Sequence, residues 1–267
     1  MENFIKYEEI ENKQQLEVWT KNHLLSKLGG LPFYIEIKPG FQVHENEILS
    51  RLENAGLSVI MKNEITRTRQ FNKVFYQNLL DRPEIWEKCS RYMCGKMQHP
   101  YIEDVKLEAP TKGFIIMGNG EGIATARGLQ GSTGNPAPGT IRYDFALRDE
   151  NGNIKPHMTA NVMHCSDSPV NGVKEAYLSF FGCEKYGMKP NIEDVRFLLS
   201  TKVEEVIKET YKMIMDKEAE MVAKSQPVVK EKKAKGPRKI NGGDRKDPKK
   251  TRGTVAKAIC EKNDLVK

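Results

Sequence analysis

The stretch Leu31-Pro32-Phe33-Tyr34-Ile35-Glu36-Ile37-Lys38-Pro39-Gly40 decides the fold. Aromatic and β-branched residues run up to Lys38 and stop at Pro39-Gly40, which reads as a strand closed by a turn. Beyond it, 45–57 sets Ile48, Leu49, Leu52 and Ala55 on one helical face before Gly56. Residues 58–68 read as a second strand. The segments 71–80 and 84–97 read as a broken helix pair with Asp81-Arg82-Pro83 at the joint, since proline suits a first helical position. A third strand over 113–117, a short helix over 121–130, a loop over 133–141, a short strand over 161–164 and a helix over 170–181 follow. The order β-α-β-α-β-α-β, with helices gathered on one side of a sheet, predicts an α+β fold with a ferredoxin-like core.

Both flanks differ from this core. Residues 1–30 carry Leu16, Val18, Trp19, Leu24, Leu25 and Leu28 at roughly helical spacing before Gly29-Gly30, so a helical N-terminal extension is expected. After the core, a helical extension over 184–226 is expected. Within it, 191–223 reads as one long helix through Val195, Leu198, Leu199, Val203, Val206, Ile207, Tyr211 and Met215. From 227 to 267 the composition turns to Lys, Gly, Pro and Asp, too apolar-poor to offset ordering entropy, which predicts a disordered basic tail.

The tail also holds the charge. Lys230 to Arg252 contains eleven Lys and Arg against three acids, a net +8 that exceeds the +7 of the whole 267-residue chain, so the remainder is close to neutral. Such a tail is either a solvated tether or a contact for RNA, DNA or another polyanion through phosphate neutralisation. It has no aromatic residue for base stacking, so any nucleic-acid binding would tolerate sequence.

Other classes are excluded by what the chain lacks. Mean hydropathy is −0.60, no run approaches the roughly 20 apolar residues of a membrane span, and the first residues lack the basic start and apolar run of a signal peptide. A cytoplasmic, membrane-free protein is expected. The five cysteines, at 89, 94, 165, 183 and 260, are odd in number and form no Cys-x-x-Cys pair, so reduced thiols are expected. The five histidines show no metal-ligand spacing. Gly118-Asn119-Gly120-Glu121-Gly122 has Ile123 where a dinucleotide fingerprint needs its third glycine, and no P-loop sequence exists.

The chemistry concentrates around Asn161-Val162-Met163-His164-Cys165-Ser166-Asp167-Ser168. An imidazole can be unprotonated near neutral pH and can leave again after reacting, the two properties a phosphate-accepting nucleophile needs. His164 is the one histidine in a phosphate-binding context. Upstream, Arg127 to Phe145 supplies Arg127, Thr133 and Arg142 among tight glycine turns, an inventory for holding a polyphosphate. Downstream, Glu175 sits on an expected helix and could orient the ring. Cys165 reads as a packing residue, because neighbours on a strand point to opposite faces.

Taken together, Lys-Pro, Tyr…Asp-Arg-Pro, Arg…Thr, Pro-Gly-Thr-Ile-Arg, Asn-x-x-His-x-Ser-Asp-Ser and Glu resemble the nucleoside diphosphate kinase family, over about Leu31 to Phe181. The resemblance implies a kinase-like domain over 31–183, with a four-stranded antiparallel sheet. It implies transfer of the γ-phosphoryl of a nucleoside triphosphate to a nucleoside diphosphate through His164, with Glu175 and Ser166 orienting the ring. Lys38, Tyr76, Arg82, Arg127, Thr133, Arg142 and Asn161 match nucleotide- and phosphate-binding positions. Asp167 matches an aspartate near a Mg²⁺ that the substrate's phosphates mainly hold. A homo-oligomer, hexamer or tetramer, is implied as well.

The chain departs from the family's pattern in five places. Gly40 replaces an aspartate, Glu84 replaces a base-stacking aromatic, Tyr143 replaces a glycine, Cys165 replaces a glycine, and the loop from Thr133 to Arg142 is about two residues short. Met158 is the apolar candidate to face the base. These departures and the two extensions keep an alternative open, a non-enzymatic adaptor with the same fold that binds nucleic acid or a larger assembly through its tail.

Overall fold

The computed structural model describes residues 5–93, 110–154 and 162–225. Five strands, β1 (Leu31–Ile37), β2 (Ser58–Ile65), β3 (Thr111–Gly118), β4 (Met163–Cys165) and β5 (Asn191–Asp194), form one antiparallel sheet in the order β4-β1-β3-β2-β5. The helices are α1 (Lys13–Leu28), α2 (Glu45–Asn54), α3 (Arg69–Phe75), α4 (Pro83–Met93), α5 (Gly122–Gln130), α6 (Ile141–Asp144), α7 (Pro169–Ala176) and α8 (Phe197–Ser225). This is the α+β class read from the sequence.

All seven residues of β1 are buried, so both faces of the sheet must be covered. That corrects the expectation of helices on one side. Phe33 meets Gly122 of α5, and α5 packs with α2. On the opposite face lie Tyr34, Gly113 and Asn63, where Tyr34 meets Phe75 of α3 and Phe180, and Asn63 Nδ2 donates to the carbonyl of Ser179 (2.8 Å).

The single long helix expected over 191–223 is also corrected. Asn191–Asp194 pairs with β2 as a fifth strand, and the N–H groups of Val195 and Arg196 both donate to the Ile60 carbonyl (3.1 and 3.3 Å) before α8 begins at Phe197. The outer edge of β2 offers backbone partners that a helix would leave unused. The sheet therefore has five strands instead of four.

Local chemistry sets the other boundaries. Thr68 Oγ1 accepts from the Phe71 N–H (3.2 Å) and starts α3 two residues earlier than expected. That helix ends at Phe75, and a 3₁₀ turn over Gln77–Leu79 leads to Pro83. Past Ala176, α7 widens into a π-helical turn, Tyr177–Phe181. At the N-terminal extension, α1 ends at Gly29, whose φ of 68° is left-handed and whose N–H donates to Leu25 (2.9 Å).

The described elements belong to the compact unit Met1–Gln226. Helices α1 and α8 pack on each other and both reach α7. The expected tail over 227–267 lies outside the described residues, as do Asn161 and Met158. No helix among the described residues is long and apolar enough to cross a membrane.

Candidate functional site

β4 is an edge strand whose pairing with β1 sets His164 directly across from Glu36. Alternation then divides the segment by face. Met163 and Cys165 are buried, while the His164 side chain is 23% exposed and lines a cleft. Burial pushes the Cys165 thiol up to about 12, so it is an inert packing group.

Two residues from α7 and its approach fix the ring. His164 Nε2 stands 2.9 Å from Glu175 Oε2, and Ser166 Oγ donates to the same oxygen (2.6 Å). Ser166 Oγ accepts from the Tyr34 N–H (3.2 Å), and its one hydrogen has two acceptors in reach, Glu175 Oε2 at 2.6 Å and the Tyr34 carbonyl at 3.0 Å, of which the carboxylate is the nearer. A carboxylate only accepts, so Nε2 carries a proton, and in the neutral ring Nδ1 keeps its lone pair. The arrangement is an oriented imidazole with one nucleophilic nitrogen.

Facing it are the guanidiniums of Arg127 and Arg142, neither of which forms an ion pair among the described residues. Arg127, Thr133, Arg142, His164 and Asp167 share one lobe of the cleft. Arg142 is pinned from below: Nη1 donates to the Gly131 carbonyl (2.9 Å) and Thr133 Oγ1 (2.8 Å), and Nη2 to the Met163 carbonyl (3.0 Å). Burial lowers its guanidinium to about 10, with Arg127 pushing the same way, and its buried Nε has no hydrogen-bond partner among the described residues. Two like charges held together beside an orphaned donor suit an incoming polyanion.

The larger lobe, about 1230 Å³, adds Lys38, Tyr76, Arg82 and Glu175 to His164, Arg142, Thr133 and Asp167. Ten of the eleven site residues expected from the sequence thus meet around one cleft, Ser166 lying buried beneath the ring. The eleventh, Asn161, lies outside the described residues. Lys38 is buried, and burial lowers its ammonium to about 8. Exposed Asp167 accepts from Asn171 Nδ2 (2.6 Å). Among the described residues, no group of three or more His, Cys, Asp or Glu side chains could hold a metal.

Sequence reasoning missed the layer beneath the site. Glu36 and Arg67 form a fully buried ion pair. Tyr34 donates to Glu36 Oε2 (3.0 Å) and Tyr76 to Oε1 (3.3 Å), while the Arg67 guanidinium stacks over Phe75 (4.1 Å). Burial opposes the charge of Arg67, but Glu36, Tyr76 and Tyr34 outweigh it and hold its pKa raised. The signal was present in Glu36, a charged residue inside a wholly apolar strand and two positions from Lys38. Gln130 was missed too; its Nε2 donates to the Met163 carbonyl (3.0 Å), beside the Arg142 contact.

An oriented histidine before a basic cleft on an antiparallel α+β sheet is an arrangement suited to phosphate, and comparison with known proteins identifies the family. The model of the nucleoside diphosphate kinase family matches residues 34–184, more than half of the chain. This chain belongs to the nucleoside diphosphate kinase family. A nucleoside diphosphate kinase of Halalkalibacterium halodurans is 32% identical over 158 residues, 57% of this chain and 89% of that protein. One from Rhodospirillum centenum is 33% identical over 143 residues, 53% and 85% respectively. A crystal structure of a nucleoside diphosphate kinase family protein from Babesia bovis shares 26% identity at a TM-score of 0.43, covering 57% of this chain and 89% of that one.

Proposed function

We propose that this protein is a nucleoside diphosphate kinase that carries the phosphoryl group on His164. The observation behind this reading is the His164–Glu175 contact of 2.9 Å, which frees Nδ1 in the cleft that Arg127 and Arg142 share. The Nδ1 lone pair attacks the γ-phosphorus of a nucleoside triphosphate. A P–N bond forms, the bond from the γ-phosphorus to the bridging oxygen breaks, and the diphosphate leaves with that electron pair. A second nucleoside diphosphate then takes the group by the reverse step.

The protein's work is positioning and charge neutralisation. Arg127, Arg142 and Thr133 would hold the transferred group, and Glu175 with Ser166 would stabilise the cationic ring that forms. Lys38, Tyr76, Arg82 and Asn161 would bind the rest of the nucleotide. Mg²⁺ would arrive on the nucleotide's phosphates and neutralise their charge, with Asp167 the carboxylate at hand in both lobes. The reading includes a homo-oligomer, the assembly the family resemblance implies.

Kinetics should be ping-pong, with parallel double-reciprocal lines for ATP and GDP. Incubation with γ-labelled ATP and Mg²⁺ should give an acid-labile, alkali-stable phosphoprotein. Absence of both transfer and label would overturn the enzyme reading and leave the adaptor.

Lys38 adds a pH dependence. Its ammonium, lowered by burial to about 8, is charged below that pH and neutral above it. If it neutralises a nucleotide phosphate, kcat/KM should fall by about tenfold per pH unit above that point. A kcat/KM that stays flat through pH ~9, together with an unchanged KM in Lys38→Met, would remove Lys38 from nucleotide binding.

A further inference from the structure

Helix α7 carries Glu175, so whatever fixes α7 fixes the ring of His164. Its first turn is held from outside the family domain. Glu17 of α1 accepts from Ser168 Oγ (2.8 Å) through Oε1 and from the Val170 N–H (2.9 Å) through Oε2. Ser168 Oγ in turn accepts from the Asn171 N–H (3.2 Å). A carboxylate at a helix N-terminus satisfies otherwise orphaned donors and meets the positive end of the helix dipole.

The other half of α7 is held by α8. Lys174, the neighbour of Glu175, donates to both oxygens of Glu218 (3.0 and 2.8 Å). One turn on, Tyr177 stacks on Tyr211 with ring centroids 3.8 Å apart. The two clamping segments are joined to each other, since α1 packs on α8 and the Tyr7 hydroxyl donates to the Met213 carbonyl (2.8 Å). Glu17 and Glu218 also line the cleft that contains His164 and Glu175. Both lie outside the 34–184 span of the family match.

We propose that Glu17 and Glu218 are positioning residues, through which the two appended segments hold α7 so that Glu175 stays in hydrogen-bond reach of His164. The proposal rests on the phosphohistidine reading above. Neither carboxylate bonds to Arg127 or Arg142, so loss of either acts on the orientation of the nucleophile and leaves phosphate binding in place. Burial holds the Glu17 carboxyl above its usual pKa, which the Ser168 and Val170 donors only partly offset.

The test is rapid-quench measurement of phosphoenzyme formation in the full chain, with Glu17→Ala, Glu17→Gln and Glu218→Gln. Each alanine or glutamine variant should slow labelling by about 3- to 10-fold while nucleotide KM stays within about twofold. In a Glu175→Ala background the same changes should add no further loss, because their effect passes through Glu175. Unchanged rates, a loss that persists without Glu175, or a rise in KM alone would overturn the proposal. Nitrogen-15 NMR of the His164 ring supplies a readout that needs no turnover. Wild type should show the Nε2–H tautomer and Glu17→Gln a mixture; an unchanged tautomer in Glu17→Gln would also overturn the proposal. If wild type takes up no label, the kinase reading fails, while the NMR comparison still decides the positioning role.

Discussion

His164→Ala is expected to abolish phosphoenzyme formation and nucleotide-to-nucleotide transfer together, each by at least about 10⁴-fold. The two must fall together because a ping-pong enzyme has no route between its substrates that avoids the covalent intermediate. No neighbouring group can substitute. Cys165 is on the opposite face of β4, and burial pushes its thiol up to about 12, so thiolate is scarce at neutral pH. The variant should still fold, since β4 pairs with β1 through backbone groups and the removed ring is partly exposed. Nucleotide binding should survive for the same reason that catalysis fails: Arg127, Arg142 and Lys38 remain in the cleft. Filter-binding of labelled nucleotide beside γ-phosphate labelling separates the two. Transfer that persists without His164 would require direct attack by one nucleotide on the other and would end the phosphohistidine mechanism.

The difference between what was legible in the sequence and what was not follows from the range of each interaction. Helix α1 was readable because Gly29 marks its end in the chain itself, and α4 because Pro83 marks its start. The site was readable where function fixes residue types at short spacing, as from His164 to Glu175. β5 was missed because Asn191–Asp194 becomes a strand only by meeting β2, more than 120 residues earlier, and local pattern does not encode that encounter. The Glu36–Arg67 pair was missed for a related reason. Each residue alone resembles ordinary surface charge, and only the antiparallel pairing of β1 with β4 places Glu36 beside His164, under a roof made by α3. Glu17 was invisible likewise, its partners lying some 150 positions downstream on the capped turn of α7.

Arg67→Met should destabilise the fold by about 3–5 kcal/mol, read as a shift in denaturant midpoint with unchanged slope. The loss arises from what remains: Glu36, at 0% exposure, would keep Tyr34 and Tyr76 as donors but lose its counter-ion. Removing both charges should cost less. In Glu36→Leu/Arg67→Met the desolvation of both ions disappears, including that of Arg67 Nε and Nη1, which have no hydrogen-bond partner among the described residues. Apolar side chains suit the Phe71 and Phe75 rings that the guanidinium now lies against (4.9 and 4.1 Å). The double variant should therefore recover part of the lost stability, the remainder being the cost of the buried Tyr34 and Tyr76 hydroxyls that lose their acceptor, about 1–3 kcal/mol each. Its activity is the informative quantity. Without Glu36, the Tyr76 hydroxyl loses its acceptor at the cleft wall, and nucleotide KM should rise even where the fold is retained. A double variant that is both stable and unimpaired would show that the pair serves neither stability nor the site. One that is stable but binds nucleotide poorly would identify the buried charges as the means by which the floor of the cleft holds its aromatic wall in place.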